Sequence, residues 1–501
     1  MSTPLPAGPR TPPAPRASGV LLVLVLGTLM ASVDTTIVLL AFPTIASDLH
    51  ASLTLVLWTI LIYLLVTAVL TTQVGRIGDL FGRSRMYNMG FVIFTVGSAL
   101  CGFAPTGDSL VAFRGVQAVG GSLLIANSSA IVADNIPGAG RGRAFGYLAM
   151  GWSVGAVLGI VLGGIITTFV SWRYIFFINV PIGIIATYWG LLHLKDASRV
   201  RARLDLPGMA LLAAALSLVT YGATDLADSG LSLGNGVELA LGLLLIVPFL
   251  LWERRAPSPV VDLKVLRNRL LASSLGAIFL QSLGYLSLSF LLIMYLQGVR
   301  GLSPLDAALL LLPAYLLMSV LAPLSGRLVD RTGPRVPATV GLLLMFAVVL
   351  SFTWLTPGTS LYLIAGVMSI AGLGAALFFP ANITAVMSAS TPQTYGSTSG
   401  LMRTLQNIGL VGSYVVSITV ASLALSRELA FRIFAGTTSL VGGVSTGFVT
   451  GIHSSLYVMA GVLAAAAALS WLRGSEPAPQ VLEAERGTGP ISPPAGEAPR
   501  P

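Results

Sequence analysis

The chain has 501 residues, of which 55% are hydrophobic and only 9% are charged. A water-soluble domain carries about 25% charged residues, so this composition excludes an ordinary soluble enzyme. The net charge of +9 comes from short basic clusters between long apolar runs, a pattern that indicates a membrane protein and argues against a nucleic-acid partner.

Apolar runs separated by charged or Pro/Gly-rich segments predict fourteen transmembrane α-helices, and the first is interpreted as a retained span because no signal-peptide cleavage pattern follows it. Six predicted spans cover residues 19–41, 54–74, 86–104, 109–133, 144–168 and 172–193. Two more cover 206–224 and 236–252. A final six cover 270–297, 304–326, 336–355, 360–386, 400–425 and 453–472.

These spans predict an all-α polytopic membrane protein in a six, two, six arrangement. Pro-rich segments without apolar periodicity at both ends predict disordered tails. The predicted units are the tail 1–17, a first six-helix bundle 18–194, a linker with two extra helices 195–269, a second six-helix bundle 270–474 and the tail 475–501.

The distribution of basic residues predicts the orientation. If the N-terminus is cytoplasmic, the outer loops carry only Arg173, Arg300, Arg427 and Arg432, and nearly all other Lys and Arg residues are cytoplasmic. This asymmetry places both termini in the cytoplasm. We expect a multi-pass protein of the inner (cytoplasmic) membrane.

An internal repeat supports two related bundles. Gly, Asp and Gly recur at the same offsets after the second span of each six-helix set. The residues are Gly75, Asp79 and Gly82, followed by Arg83, in the first copy, and Gly326, Asp330 and Gly333 in the second. We expect both segments to form short cytoplasmic turns that act as gating loops, in which the carboxylate pairs with Arg83 or with a helix N-terminus of the opposite bundle. The alternative is a solvated loop whose basic residues only set topology.

With these motifs the sequence resembles the major facilitator superfamily, and specifically its fourteen-span drug:proton antiporter branch. The similar segments are Asp34–Val38, Gly75–Arg85, Arg114–Gln117 with Gly120 and Gly121, Gly155–Gly164, and Trp172–Phe176 with Asn179, Pro181 and Gly183. The resemblance implies two pseudo-symmetric bundles around a central cavity, two peripheral helices and a rocker-switch mechanism.

Two positions depart from the family pattern. Ile160 stands where the antiporter signature usually has Pro, and Leu39 stands where the first-helix signature usually has Asn. The first departure keeps open a proton-coupled symporter that imports a small organic nutrient.

The fifth span carries a regular face of small residues. Gly155, Gly159 and Gly163 recur every four residues, with Gly164 beside them. Small residues let helices approach closely, so this antiporter helix forms either a static contact or a seam that slides during transport.

Asp34 is the only acid placed deep within a predicted span, and Arg114 lies at a similar depth in the fourth span. An ionisable group inside the membrane is costly and normally marks a function. We predict that Asp34 carries the transported proton and that Arg114 is its partner; a permanent structural ion pair is the alternative.

Gln281, Tyr285 and Ser289 are spaced by four residues in the ninth span and predict a polar stripe facing the substrate cavity. We assign Gln117 to the same cavity. An apolar cavity with few polar anchors suits amphipathic organic compounds such as drugs and antibiotics. Interhelical hydrogen bonding is the competing interpretation of the stripe.

Other chemistry is not indicated. Neither Lys195 nor Lys264 belongs to a phosphate-binding loop, Cys101 is the single cysteine, and the three histidines lack metal-ligand spacing. We therefore expect a transporter and not an enzyme, with no metal and no cofactor. Its partners should be a small organic substrate, protons and the lipid bilayer, and we expect a monomer.

Overall fold

We describe the fold from a computed structural model that covers residues 15–136, 138–196, 204–230, 232–261, 263, 267–389, 395–423 and 443–474. Regular secondary structure in these ranges is helical throughout. The predicted tail 475–501 lies outside the described residues. Residues 1–14 of the other predicted tail also lie outside them. Residues 15–17, which were predicted to belong to that disordered tail, form the beginning of the first helix at Pro15.

The first part of the chain forms seven helices, several of which begin at polar caps. Ser52 accepts a hydrogen bond from the Leu55 backbone N–H, and Thr106 forms a reciprocal capping box with Ser109. The helices are α1 Pro15–Asp48, α2 Leu53–Phe81, α3 Arg83–Gly102, α4 Gly107–Asn135, α5 Gly138–Phe169, α6 Tyr174–Phe177 and α7 Asn179–His193.

The rest of the chain forms a helical hairpin and a second set of helices. The hairpin is α8 Leu206–Ser229 and α9 Leu233–Glu253. The second set is α10 Arg269–Tyr285, α11 Leu288–Met294, α12 Pro304–Thr332, α13 Arg335–Ser351, α14 Leu361–Ser388, α15 Tyr395–Leu423 and α16 Gly443–Trp471. A π-helical turn, Tyr295–Val299, follows α11, and a 3₁₀ turn, Phe352–Trp354, follows α13.

Helices α1 to α7 pack mainly on one another, as do α10 to α16, so the chain forms two bundles. The bundles meet along α5 with α12 and α2 with α15, while the α8–α9 hairpin packs on α2 and α15. Trp172 Nε1 donates to Asp48 Oδ2 at 2.9 Å at one end of the helices, which we call the Trp172 end. The opposite end, where Arg83 lies, is the Arg83 end.

Twelve helical segments in the described residues are long and apolar enough to cross a membrane, fewer than the fourteen predicted. The predicted spans 86–104 and 400–425 correspond to α3 and α15, which are not among the twelve. Both helices are comparatively polar: α3 starts with two arginines, and α15 contains Arg403. The count of fourteen therefore does not follow from hydropathy alone.

The predicted turns at the Arg83 end are shorter than expected. Gly75 and Asp79 lie within α2, and Gly326 and Asp330 lie within α12, so the expectation that these segments are loops was wrong. Only Gly82 (φ 107°) and Gly333 (φ 75°) leave the helical conformation, and each ends its helix with a positive φ that favours glycine. The Asp330 side chain falls outside the described part.

The predicted ninth span is also not one continuous helix. It breaks between α10 and α11, where the Ser287 backbone N–H donates to Ser413 Oγ of α15 at 3.1 Å. Ser287 Oγ in turn lies 2.6 Å from Ser417 Oγ of the same helix. The Ser413 hydroxyl thus satisfies a backbone N–H that a broken helix would otherwise leave unpaired in a membrane.

Candidate functional site: a buried ion pair in the first bundle

Asp34 and Arg114 meet in the interior of the first bundle. Arg114 Nη1 of α4 donates to Asp34 Oδ2 of α1 at 2.7 Å. Asp34 is 0% exposed and Arg114 is 2% exposed. The predicted partners are therefore in direct contact, although α1 continues to Asp48 instead of ending near Ala41.

Gln117 joins both members of this pair. Its Oε1 accepts from Arg114 Nη1 at 2.6 Å, and its Nε2 donates to Asp34 Oδ1 at 2.7 Å. Because Gln117 follows Arg114 by three residues on α4, both side chains reach the same face of that helix. Gln117 is fully buried here, so its position is beside the ion pair and not on an open cavity wall.

Two further polar residues complete the surroundings of Asp34. Ser98 Oγ of α3 accepts a hydrogen bond from Gln117 Nε2 at 2.6 Å. Asn179 Nδ2, at the start of α7, donates to Asp34 Oδ1 at 3.4 Å. Both are fully buried. Sequence reasoning missed them as site residues, although Asn179 stands in the sixth-helix signature, since one polar residue in an apolar run carries no information about which helix it faces.

Arg114 keeps several partners besides Asp34. Its Nε donates to the Thr59 backbone carbonyl of α2 at 3.0 Å, and its guanidinium lies 4.5 Å from the centroid of the Tyr63 ring. The Phe176 ring lies 5.7 Å away on another side. The cation would therefore remain partly stabilised if Asp34 lost its charge.

The glycine face of α5 packs against α1, the helix that carries Asp34. A Cβ on Gly155 would lie 2.8 Å from the Leu29 carbonyl oxygen, and one on Gly159 would lie 2.8 Å from that of Val33. Gly163 continues this face toward Ile37. Gly164 points elsewhere, because its Cβ would lie 2.8 Å from Ala308 Cβ of α12 in the other bundle.

The two bundles contact each other at the Trp172 end, again through α1 and α5. The rings of Phe42 and Phe290 pack edge-on with centroids 5.4 Å apart. Gln297 Nε2 donates to the Leu40 carbonyl at 3.2 Å, and the Leu305 backbone N–H donates to Thr168 Oγ1 at 3.2 Å. We call these contacts the Trp172-end seal.

The predicted polar stripe does not lie on one helix. Gln281 and Tyr285 belong to α10, whereas Ser289 belongs to α11 and lies 3.4 Å from the Tyr315 hydroxyl of α12. Gln281 is fully buried, with Nε2 3.7 Å from Met345 Sδ. Tyr285 and Ser289 are half-buried, and the nearby Tyr315 was missed by the sequence analysis.

An ion-pair network occupies the Arg83 end of the first bundle. Arg83 Nε donates to Asp79 Oδ1 at 2.7 Å, and its Nη1 donates to Asp134 Oδ1 of α4 at 2.8 Å. Burial disfavours the Arg83 cation, but the hydrogen bond and charge of Asp79, together with Asp134, outweigh it and raise the pKa of Arg83. Asp196 accepts from the Ser84 backbone N–H at 2.8 Å and caps α3.

Arg403 of α15 lies between the bundles. Its guanidinium carbon is 5.5 Å from the centroid of the Trp152 ring on α5, and its Nη1 donates to Gln406 Oε1 at 3.1 Å. No carboxylate among the described residues lies within ion-pair distance of it. Similarly, no cluster of three or more potential metal ligands occurs in the described ranges.

Comparison with known proteins identifies relatives of most of the helical region. The family profile described as Major Facilitator Superfamily matches residues 24–413. The riboflavin transporter RibZ of Clostridioides difficile is 30% identical over 78% of this chain and 85% of its own length. The tetracenomycin C resistance and export protein of Streptomyces glaucescens is 31% identical over 80% of this chain and 76% of its own length.

The fold also matches solved structures. A bacterial homologue of the human lysosomal transporter Spinster, in an inward-facing and unoccupied conformation, superposes with a TM-score of 0.63. The match covers 92% of this chain and 98% of the other at 18% identity. At that identity the likeness concerns the fold alone.

Proposed function

Because this chain belongs to the major facilitator superfamily, we propose that it is a proton-coupled transporter that exports amphipathic organic compounds by alternating access. The buried pair of Asp34 and Arg114 is the observation that carries the proposal. The similarity to an antibiotic export protein supports the direction and the substrate class.

We infer fourteen membrane crossings, with α3 and α15 added to the twelve apolar segments. α3 has 20 residues and packs along α4 and α7, and its polar residues Ser84, Asn88 and Ser98 are buried by protein. α15 packs along α2, α8, α10 and α16 in the same way. With the Arg83 end in the cytoplasm, both termini are cytoplasmic and the protein belongs to the cytoplasmic membrane.

Asp34 is proposed as the proton carrier. Hydrogen-bond donors contact both of its oxygens, an arrangement that stabilises a negative charge. Protonation would neutralise the carboxyl group. Arg114 would keep its contacts with the Thr59 carbonyl, Gln117 Oε1 and the Tyr63 ring. The proton can therefore bind without leaving a bare buried cation.

Helix α1 is the element that would connect proton binding to transport. Asp34 is fully buried, so protons reach it only when α1 moves relative to α4 and α7. Leu40 and Phe42 of the Trp172-end seal lie on α1 two turns beyond Asp34. Movement of α1 against the smooth glycine face of α5 would open the contacts that Leu40 and Phe42 make in this seal and expose the carboxyl group in the same step.

The gating role of the Arg83 end is part of the same proposal. In this conformation the ion pairs of Asp79, Arg83 and Asp134 lie within the first bundle. When that end closes, Asp79 would turn toward the N-terminus of α15, whose partial positive charge favours a carboxylate.

The substrate would bind between the bundles, near Tyr285, Ser289 and Tyr315. These half-buried side chains combine aromatic surface with a few hydroxyl groups, which suits amphipathic organic molecules. Gln281 is proposed to join this site only if α10 rotates, since Met345 covers it here.

The proton gradient is sufficient for the work. One proton gains roughly 2.3 kcal/mol per 100 mV, and roughly 1.4 kcal/mol per pH unit. Together these sustain a concentration ratio of several hundredfold for a neutral substrate, since each 1.4 kcal/mol is tenfold.

A proton symporter that imports a nutrient is the second candidate. It is favoured by one observation, the 30% identity to a riboflavin transporter.

Everted membrane vesicles separate the two candidates. If the protein exports, a fluorescent amphipathic dye should accumulate inside vesicles whose interior is acidified, and a protonophore should release it. If the protein imports, acidification should instead drive the dye or riboflavin out of preloaded vesicles. If no compound in a broad panel moves across the membrane in response to the gradient, both candidate functions are contradicted.

A further inference from the structure

A pair of buried carboxylates, separate from the ion pair of Asp34 and Arg114, lies where the α8–α9 hairpin meets α2, at the Arg83 end. Asp205 caps α8, and its Oδ1 accepts from the Gly208 backbone N–H at 3.0 Å and from Trp252 Nε1 at 2.7 Å. Glu253 ends α9, and its Oε2 accepts from the Val261 backbone N–H at 2.8 Å. Asp205 is 4% exposed and Glu253 is 3% exposed.

Each carboxylate leaves one oxygen without a hydrogen-bond partner. These atoms are Asp205 Oδ2 and Glu253 Oε1. Both face Gly208, because a Cβ added there would collide with Asp205 Oδ2 and lie 2.7 Å from Glu253 Oε1. Two unpartnered buried acceptors therefore face the same small space, which glycine leaves open.

A buried amide adjoins the same space. Gln73 of α2 is fully buried, and its Oε1 accepts from the Asp205 backbone N–H at 3.1 Å. Its Nε2 has no hydrogen-bond partner. The cluster thus holds two acceptors and one donor that are unsatisfied, a combination that a water or a proton can complete.

The nearest cation does not neutralise the pair directly. Arg76 of α2 donates from its guanidinium to the backbone carbonyls of Ser258 and Pro259, with Nη2 2.7 Å from the Pro259 oxygen. Its Nη1 also donates to Gln73 Oε1 at 3.2 Å. Burial lowers the pKa of Arg76, while the charges of Asp205, Glu253 and Asp79 oppose that effect. Arg76 therefore lies within electrostatic reach of both acids without an ion pair.

The other neighbouring elements supply no described charge to the pair. Arg254 and Arg255, which follow Glu253, are exposed. α15 contributes the apolar Ile408 to the cluster of hydrophobic residues around α8 and α9. Two ionised carboxylates in one buried space repel each other, and among the described residues Arg76 is the cation that offsets them.

We propose that Asp205 and Glu253 form a second proton-binding site, in which two buried carboxyl groups hold one proton between them. The proton satisfies one of the orphan oxygens, and Gln73 Nε2 can donate to a water that bridges the rest. This site is separate from Asp34 and does not depend on the direction of transport.

The location gives the site a structural consequence. Arg76 fastens the segment after α9 to α2 within the same turns as Gly75 and Asp79. Loss of the shared proton would add a negative charge beneath this attachment. The hold of the hairpin on α2 would then change with pH.

Infrared difference spectroscopy of the purified full-length protein tests the proposal. The wild-type protein should show a protonated-carboxyl band that disappears as the pH is raised. In Glu253→Gln and in Asp205→Asn the remaining carboxyl faces no second charge, so the band should disappear at a lower pH than in the wild-type protein. Asp205→Asn keeps an Oδ1 that can still cap α8.

The matched control is Asp225→Asn, at the other end of the same hairpin, where Asp225 Oδ2 accepts from Asn235 Nδ2 at 3.3 Å. It should leave the band unchanged. If an acid variant does not fold, Gln73→Leu serves instead. This substitution removes the Nε2 donor, so the protonated-carboxyl band should disappear at a higher pH than in the wild-type protein. A wild-type spectrum without the band, a shift in only one acid variant, or an unshifted band in the variants that fold would each overturn the proposal.

Discussion

Asp34→Asn is the substitution that tests the proposed coupling most directly. Asparagine keeps the size of the side chain and can still accept from Gln117, but it can neither carry a proton nor balance the charge of Arg114. Asp34 is fully buried and its oxygen lies 2.7 Å from Arg114 Nη1, so solvent cannot replace the lost partner.

The expected magnitude follows from these contacts. Removing one partner of a buried ion pair destabilises a protein by about 3–5 kcal/mol. Because Arg114 keeps its hydrogen bonds to the Thr59 carbonyl and Gln117 Oε1, we expect the free energy of unfolding to fall by about 3 kcal/mol, near the lower end of this range. The coupled accumulation of several hundredfold should fall to about onefold, since no proton is carried.

Two measurements on the same preparation check this prediction. Dye accumulation in acidified everted vesicles reports coupling, and thermal unfolding followed by tryptophan fluorescence reports stability. Asp48→Asn is the matched control, because Asp48 lies on the same helix but its ion pair with Arg173 is partly exposed. It should change stability by less than about 1 kcal/mol and leave accumulation intact. If Asp34→Asn still accumulates dye to the wild-type ratio in response to a pH gradient, the assignment of the proton carrier is refuted.

Three further substitutions test neighbouring parts of the reasoning. Gly159→Leu should abolish transport because its Cβ would lie 2.8 Å from a carbonyl oxygen of α1, whereas Gly146→Ala, with open space around it, should transport normally in the vesicle assay. Arg83→Ala should change the accessibility of cysteines introduced at the Arg83 end, and it should lower the free energy of unfolding by no more than about 1 kcal/mol per ion pair. The control Arg85→Ala, at an exposed position, should change neither the accessibility nor the stability. Gln117→Leu should lower the free energy of unfolding by about 1–3 kcal/mol, because it removes a hydrogen bond to a charged group, and an unchanged melting curve would contradict that contact.

The sequence was most informative where chemistry is rare. A carboxylate and an arginine inside apolar runs predicted a contact between Asp34 and Arg114, because an isolated charge is costly in a membrane. Ser98 and Asn179 could not be assigned in the same way. Small polar residues are common in membrane helices, and only the packing of α3 and α7 against α1 decides which of them reach Asp34.

Helix ends and interruptions were predicted less well, for a physical reason. Apolarity marks the part of a helix that lipid surrounds, but α2 and α12 continue past it to Gly82 and Gly333 through polar residues. The break before α11 could not be predicted from the sequence, because the Ser287 backbone N–H is satisfied by Ser413 of α15, far along the chain. Likewise, α3 and α15 were predicted as spans but are not among the twelve apolar segments, because both helices carry several polar side chains.

The break between α10 and α11 bears on when this part of the protein can acquire its final structure during biosynthesis. The hydroxyl that accepts from the Ser287 backbone N–H belongs to Ser413, 126 positions later, and Ser417 follows it. Until α15 leaves the ribosome and inserts, that N–H lacks the partner that it has in the finished fold. We therefore expect the break between α10 and α11 to reach its final geometry only after α15 has been inserted.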